Sequence, residues 1–102
     1  MDYRPRILEK EVDRYLALDK SVVVVGPRQA GKTYLVKFLA NKHNGIYINC
    51  EEPGSKEFLL TYEGRRILFI DEAQRIQDVG RILKLLHDRG RRFVATARDP
   101  LT

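Results

Sequence analysis

The sequence predicts an α/β domain: a parallel sheet of about four strands held as the middle layer of a three-layer sandwich. Two short runs, Ser21 to Val25 and Ile67 to Ile70, are apolar on both faces, as strands are when helices cover a parallel sheet from two sides. Helical-period segments alternate with these runs, and the connections are short, which is the order that right-handed βαβ crossovers require. With 102 residues, of which 43% are apolar, the chain suffices for one small domain and not for two.

Each element has its own local signal. Arg6 to Leu18 places Ile7, Leu8, Val12, Tyr15 and Leu16 on one helical face after Pro5, giving an amphipathic lead-in helix over residues 1–20. The Ser21 to Val25 strand ends at Gly26 and Pro27. From Lys32 to about Asn41, Leu35, Val36, Phe38 and Leu39 mark a helix that Asn44-Gly45 stops, and Ile46-Tyr47-Ile48 follows as a strand. Ser55 to Tyr62 holds about two turns of helix with Ser55 as N-cap. After Gly64 and the Ile67 to Ile70 strand, Asp78 is the expected N-cap of a helix carrying Val79, Ile82, Leu83 and Leu86, with Gly90 as its stop. Phe93 to Ala97 is the fourth strand.

Composition excludes several classes. The longest uninterrupted apolar runs, such as Val22 to Val25, fall far below the roughly 20 residues that span a bilayer, and no apolar signal core follows Met1; a cytoplasmic protein is expected, with no membrane partner. One cysteine, Cys50, makes no internal disulfide, and His43 and His87 are too few for a Cys/His zinc site. The net charge of +5 is concentrated late: ten basic against nine acidic residues to Gly64, then nine against five. Arg89, Arg91 and Arg92 are its densest cluster, but they flank a helix end, where cations complement the dipole and solvate a turn.

Gly26-Pro27-Arg28-Gln29-Ala30-Gly31-Lys32-Thr33 fits the pattern G-x-x-x-x-G-K-[ST], after a buried strand and opening a helix. The glycines let successive N–H groups curl toward phosphate oxygens at the positive end of the helix. Lys32 is placed to reach the β- and γ-phosphates of ATP, and the Thr33 hydroxyl to ligate Mg²⁺. Ile67-Leu68-Phe69-Ile70-Asp71-Glu72 is an apolar strand ending in two acids. It brings Asp71 to the same sheet edge as a metal ligand, direct or through water, with Glu72 positioned to polarise an attacking water. The alternative reading of the two acids is a cap on the following helix.

These segments, with Ala73-Gln74 after Glu72, resemble the AAA+-type P-loop ATPases of prokaryotes that pair a GPRQxGKT loop with an IDExQ strand end and typically carry a poorly characterised C-terminal region. Tyr3-Arg4-Pro5-Arg6 and Asn49-Cys50-Glu51-Glu52-Pro53 also fit that group, so the resemblance covers nearly the whole chain. It implies a P-loop NTPase sandwich, Lys32 and Thr33 on phosphate and metal, Asp71 on metal, Glu72 as base, and Gln74 as part of the signature with no assigned role. The family's fourth strand usually ends in Thr-Gly-Ser, thought to sense the γ-phosphate. Here it reads Thr96-Ala97-Arg98, so Thr96 fits, the next two residues depart, and Arg98 is expected to be solvated rather than a phosphate contact.

The resemblance also implies a strand order 5-1-4-3-2, a small helical lid, and basic residues that act on the γ-phosphate. The chain ends at Thr102 before any fifth strand, lid or such basic residues, so it reads as a truncated core whose hydrolysis is expected to be slow or to need a partner. Without a fifth strand, Ser21 to Val25 becomes an edge, which invites a homo-oligomer or an added partner strand. Two other readings stay open: a non-catalytic nucleotide-binding or interaction module pairing through that edge, and a basic nucleic-acid binder using Arg89, Arg91, Arg92 and Arg98. Asn41-Lys42-His43-Asn44 lacks the carboxylate of a guanine-reading motif. His43 and His87 have no acidic or serine partner at a catalytic spacing and read as surface or helix-end residues, and Cys50 reads as a packing residue.

Overall fold

The computed structural model describes residues 5–26 and 32–101. In chain order these form α1 (Pro5–Ala17), β1 (Val22–Val25), α2 (Lys32–Lys42), β2 (Ile46–Asn49), α3 (Ser55–Thr61), β3 (Leu68–Asp71), a 3₁₀ turn (Ala73–Arg75), α4 (Val79–Asp88) and β4 (Phe93–Ala97). The four strands are all parallel and lie in the order β1-β4-β3-β2. The fold is therefore the expected three-layer α/β sandwich, consistent with a P-loop NTPase.

Strand alternation divides the core into two. On one face Ile67, Phe69 and Val94 pack under Leu8, Val12 and Leu16 of α1 and Leu35, Val36 and Leu39 of α2. On the other, Ile48, Leu68, Ile70, Phe93 and Ala95 pack under Leu59 of α3 and Ile82, Leu83 and Leu86 of α4. The central strands β3 and β4 are buried throughout. β1 differs from the two-sided coverage expected of it. Val22 and Val24 pack on the α1/α2 side, whereas Val23 and Val25 are 43% and 44% exposed, because α3 and α4 pack over the other strands.

Several helix ends depart from the sequence reading for local reasons. α2 is stopped by Asn44, which takes the left-handed conformation (φ 52°). Gly45 instead serves close packing: a Cβ there would stand 2.6 Å from the Ile67 carbonyl oxygen and collide with the Phe69 ring. Ser55 is not an N-cap. It is the first residue of α3, and the cap position belongs to Gly54 at φ 87°. Asp78 occupies the N-cap position of α4 but makes no side-chain capping bond, and Gly90 ends that helix at φ 76° as expected.

Charged side chains tie the layers together. Lys42 Nζ donates to Glu9 (2.9 Å) and Asp13 (2.6 Å), while His43 Nε2 meets the other Asp13 oxygen at 2.6 Å, clamping α1 to the end of α2. His43 is thus a helix-end residue, as the sequence suggested, and its acidic partner lies thirty residues away along the chain. The basic cluster is also not simply a solvated turn. Arg92 Nη1 donates to the Leu16 carbonyl at the end of α1 (2.9 Å) and pairs with Asp19 (3.1 Å), and Arg89 Nη1 donates to Leu60 O in α3 (3.0 Å). Two of its three guanidiniums therefore hold helix C-terminal carbonyls, which carry partial negative charge.

Candidate functional site

The side chains of interest meet at the carboxyl ends of the strands, on the face covered by α2. Period-two alternation puts Tyr47, Phe69, Asp71, Val94 and Thr96 on that face. Register then sets their spacing: Asn49 stands opposite Asp71, Val24 opposite Thr96, and Thr96 is one step beyond the Ile70–Ala95 pair. Tyr47 lies diagonally across from Asp71, within reach of a long side chain.

Asp71 is 2% exposed and Thr96 1%. A carboxylate so placed needs hydrogen-bond donors, and it has one on each oxygen. The Thr96 hydroxyl donates to Oδ1 at 2.8 Å and the Tyr47 hydroxyl to Oδ2 at 2.8 Å. Burial and the bond to Asp71 both push the Tyr47 phenol well above its ordinary range. Thr96 Oγ1 also accepts the Glu72 backbone N–H at 3.3 Å, so one hydroxyl positions both acids. Thr96 accordingly keeps a role at the strand end although Ala97 and Arg98 depart from the familiar pattern.

Glu72 adopts the left-handed conformation, φ 56° and ψ 46°, at a cost on the order of 1–3 kcal/mol for a residue other than glycine. This kink lets the chain turn from β3 into the 3₁₀ turn and leaves the side chain 13% exposed beside Asp71. It does not act as a simple helix cap: no side-chain capping bond is made to that turn. Glu72 Oε1 instead receives Gln74 Nε2 at 3.2 Å and Arg98 Nη2 at 3.4 Å. Arg98 is therefore an ion-pair partner of Glu72 rather than merely solvated. Arg75 stands 4.0 Å from the same oxygen and 3.2 Å from Glu51.

Lys32 is the first residue of α2, and its ammonium donates to the Gly26 carbonyl at 3.2 Å, joining the two ends of the intervening segment. Burial pushes the Lys32 ammonium below its ordinary value, the Glu72 and Asp71 charges pull it back up, and Arg98 pushes it down. Thr33 follows, exposed at the start of the helix. Pro27, Arg28, Gln29, Ala30 and Gly31 lie outside the described residues. Cys50 is buried, and that burial pushes its thiol up to about 12, in keeping with a packing role.

The family model described as "AAA domain" matches residues 18–98. The chain belongs to the AAA domain family. That membership places it in the nucleotide-binding, ATPase class. The AAA domain match begins just after α1 and ends at Arg98, so it takes in all four strands and every acid and base gathered above. The chain is also similar to an uncharacterized protein of Methanocaldococcus jannaschii, 28% identical over 101 residues. The match covers 85% of this chain and spans 23% of the length of that relative.

The sequence located Lys32, Asp71 and Glu72 in the AAA domain and missed Tyr47, which it read only as a strand residue. A signal for Tyr47 was available: Ile46 and Ile48 turn to the α3/α4 core, so Tyr47 between them must face Phe69 and Asp71. Gln74 carried no assigned role and now has two partners. Among the described residues, no helix is long and apolar enough to cross a membrane.

Proposed function

We propose that this AAA domain binds Mg-ATP through Gly26 to Thr33, with Asp71, and hydrolyses it slowly or with the help of a partner. The observation that carries the reading is that Lys32, whose ammonium holds the Gly26 carbonyl just after β1, lies with the buried Asp71 and its neighbour Glu72 at the carboxyl end of one parallel sheet. Phosphate oxygens suit this position: the helix N-terminus offers unpaired N–H groups and a positive dipole end, and Lys32 adds a full charge.

Magnesium fits the donors present. The Asp71 carboxylate and Thr33 hydroxyl are hard oxygen ligands, and Mg²⁺ is commonly held by one or two such groups together with phosphates and water. Each Asp71 oxygen accepts one hydroxyl and keeps a further lone pair, so Asp71 would hold the ion chiefly through water. When bound, the ion supplies charge neutralisation on the phosphates. For the protein's own residues, Lys32 binds the β- and γ-phosphates and Glu72 orients a water toward the γ-phosphorus. A bond forms from that water oxygen to phosphorus, the bond to the bridging oxygen breaks, ADP leaves with the electron pair, and the water proton passes to Glu72. Slow turnover is expected while Arg98 is engaged with Glu72, because an arginine that neutralises the transition state contributes about 10³ to 10⁵ in rate.

Calorimetry with Mg-ATP on wild type and Lys32→Ala, with phosphate release followed in the same samples, tests the reading. Binding lost in Lys32→Ala and release lost in Glu72→Gln support it; absence of binding by folded wild type overturns it. A second reading, a module that pairs with another copy of itself, draws on the exposed Val23 and Val25 and on the position of β1 at an edge of the sheet. A monomer in sedimentation at high concentration counts against that one.

A further inference from the structure

We propose that Gln74 is the positioning residue for Glu72, fastening its carboxylate through one oxygen to the end of β4 and leaving the other oxygen for the attacking water. The proposal rests on the ATPase reading above. Gln74 uses both ends of its amide. Its Oε1 accepts the Arg98 backbone N–H at 3.1 Å, and its Nε2 donates to Glu72 Oε1 at 3.2 Å. These partners fix the amide orientation without ambiguity, since a backbone N–H only donates and a carboxylate only accepts.

The backbone provides the geometry for this link. Arg75 N donates to Glu72 O (3.0 Å) and Ile76 N to Ala73 O (3.1 Å), closing a tight turn that brings the Gln74 side chain back onto Glu72. Ala73 is fully buried and anchors that turn. The other end is equally firm, because Arg98 directly follows the buried strand β4. Glu72 Oε1 thus receives both Gln74 and Arg98, while among the described residues Oε2 has no hydrogen-bond partner. A carboxylate held by one oxygen and open at the other has the form needed to orient a water.

Gln74 is specific for this task in a way that a similar side chain is not. Glutamate at this position keeps the length and the acceptor for the Arg98 N–H but turns a second carboxylate toward Glu72. Methionine keeps the length and makes neither bond.

The test uses the whole chain, with Gln74→Glu and Gln74→Met compared with wild type and Glu72→Gln. Mg-ATP affinity is read by calorimetry, and phosphate release in single turnover. The expected result is release slowed by about tenfold or more, as small misplacements of a reacting group produce, with the Kd for Mg-ATP and the melting temperature little changed. A merely structural role would move stability and affinity together and leave the release rate per bound nucleotide alone. Release within about twofold of wild type in both Gln74 variants overturns the proposal. Release by Glu72→Gln equal to wild type overturns the assignment of Glu72 itself. Where wild-type release is too slow to follow, affinity for ADP with aluminium fluoride replaces it: a loss of about tenfold relative to ADP alone supports the proposal, and no loss overturns it. Wild type that binds no nucleotide overturns the ATPase reading, and this proposal with it.

Discussion

Replacing Thr96 by valine tests whether the acid pair is held by hydrogen bonds or by packing. Valine matches threonine in shape but has no hydroxyl, so the buried Asp71 loses its 2.8 Å donor and the Glu72 N–H loses its 3.3 Å acceptor. A hydrogen bond to a charged group contributes about 1.5–3 kcal/mol, and the more weakly held N–H adds about 1. The new methyl in a site that is 1% exposed returns about 1 kcal/mol. The net destabilisation is about 1.5–3 kcal/mol, or roughly 6–24 °C in melting temperature for a domain of this size. Serine at the same position keeps the hydroxyl and removes one methyl, a loss of about 1 kcal/mol. Thermal and urea unfolding of Thr96→Val and Thr96→Ser should therefore rank serine above valine. Valine as stable as serine would refute the claim that the Thr96 hydroxyl satisfies the buried carboxylate.

Three further outcomes follow from other contacts. Gly45→Ala drives a Cβ to 2.6 Å from the Ile67 carbonyl oxygen and into the ring of Phe69, which is fully buried and has no room to withdraw; the urea midpoint should fall by the equivalent of about 1–3 kcal/mol. Burial opposes the charge on Asp13, but the bonds from Lys42 and His43 outweigh it and hold its carboxyl below the ordinary range. Its contribution is therefore present above a pH of about 4 and lost as pH falls through the lower folded value. Asp13→Asn should unfold more easily than wild type at neutral pH, with the gap closing in acid; a gap unchanged by pH counts against the clamp. Arg92→Ala releases the Leu16 carbonyl and Asp19, so amide hydrogens in the last turn of α1 should exchange faster while those of β3 keep their protection.

Much of the fold was legible because it rests on local chemistry. Leu68 to Ile70 is apolar at every position, the pattern expected of a strand covered on both faces, and that strand is buried throughout. The face of α4 carrying Val79, Ile82, Leu83 and Leu86 is legible from its spacing, and Gly90 from its place after the last apolar turn. The motif residues Lys32, Asp71 and Glu72 were located for the same reason, since a strand end and a helix start are local events. Helix caps were read less well. Ser55 and Asp78 have capping chemistry, but whether a side chain turns back to an N–H depends on the backbone before it, and here Gly54 and Asp78 take left-handed angles without making such a bond.

Sequence by itself determined the alternation of strands and helices, the burial of β3, and the places of Lys32 at the start of α2 and of Asp71 and Glu72 at the end of β3. Tertiary structure alone decided what surrounds them. That β1 has one exposed face is settled by where α3 and α4 pack, not by its four valines. The Tyr47 and Thr96 hydroxyls on Asp71, and the Gln74 and Arg98 groups on Glu72, join β2, β3, β4 and the 3₁₀ turn. Tyr47 and Thr96 lie 24 and 25 residues from Asp71 along the chain, and only the parallel register brings them within hydrogen-bond distance. The physical reason is range: periodicity and propensity act over a few residues, whereas satisfying a buried carboxylate requires donors from whichever strands the topology sets beside it.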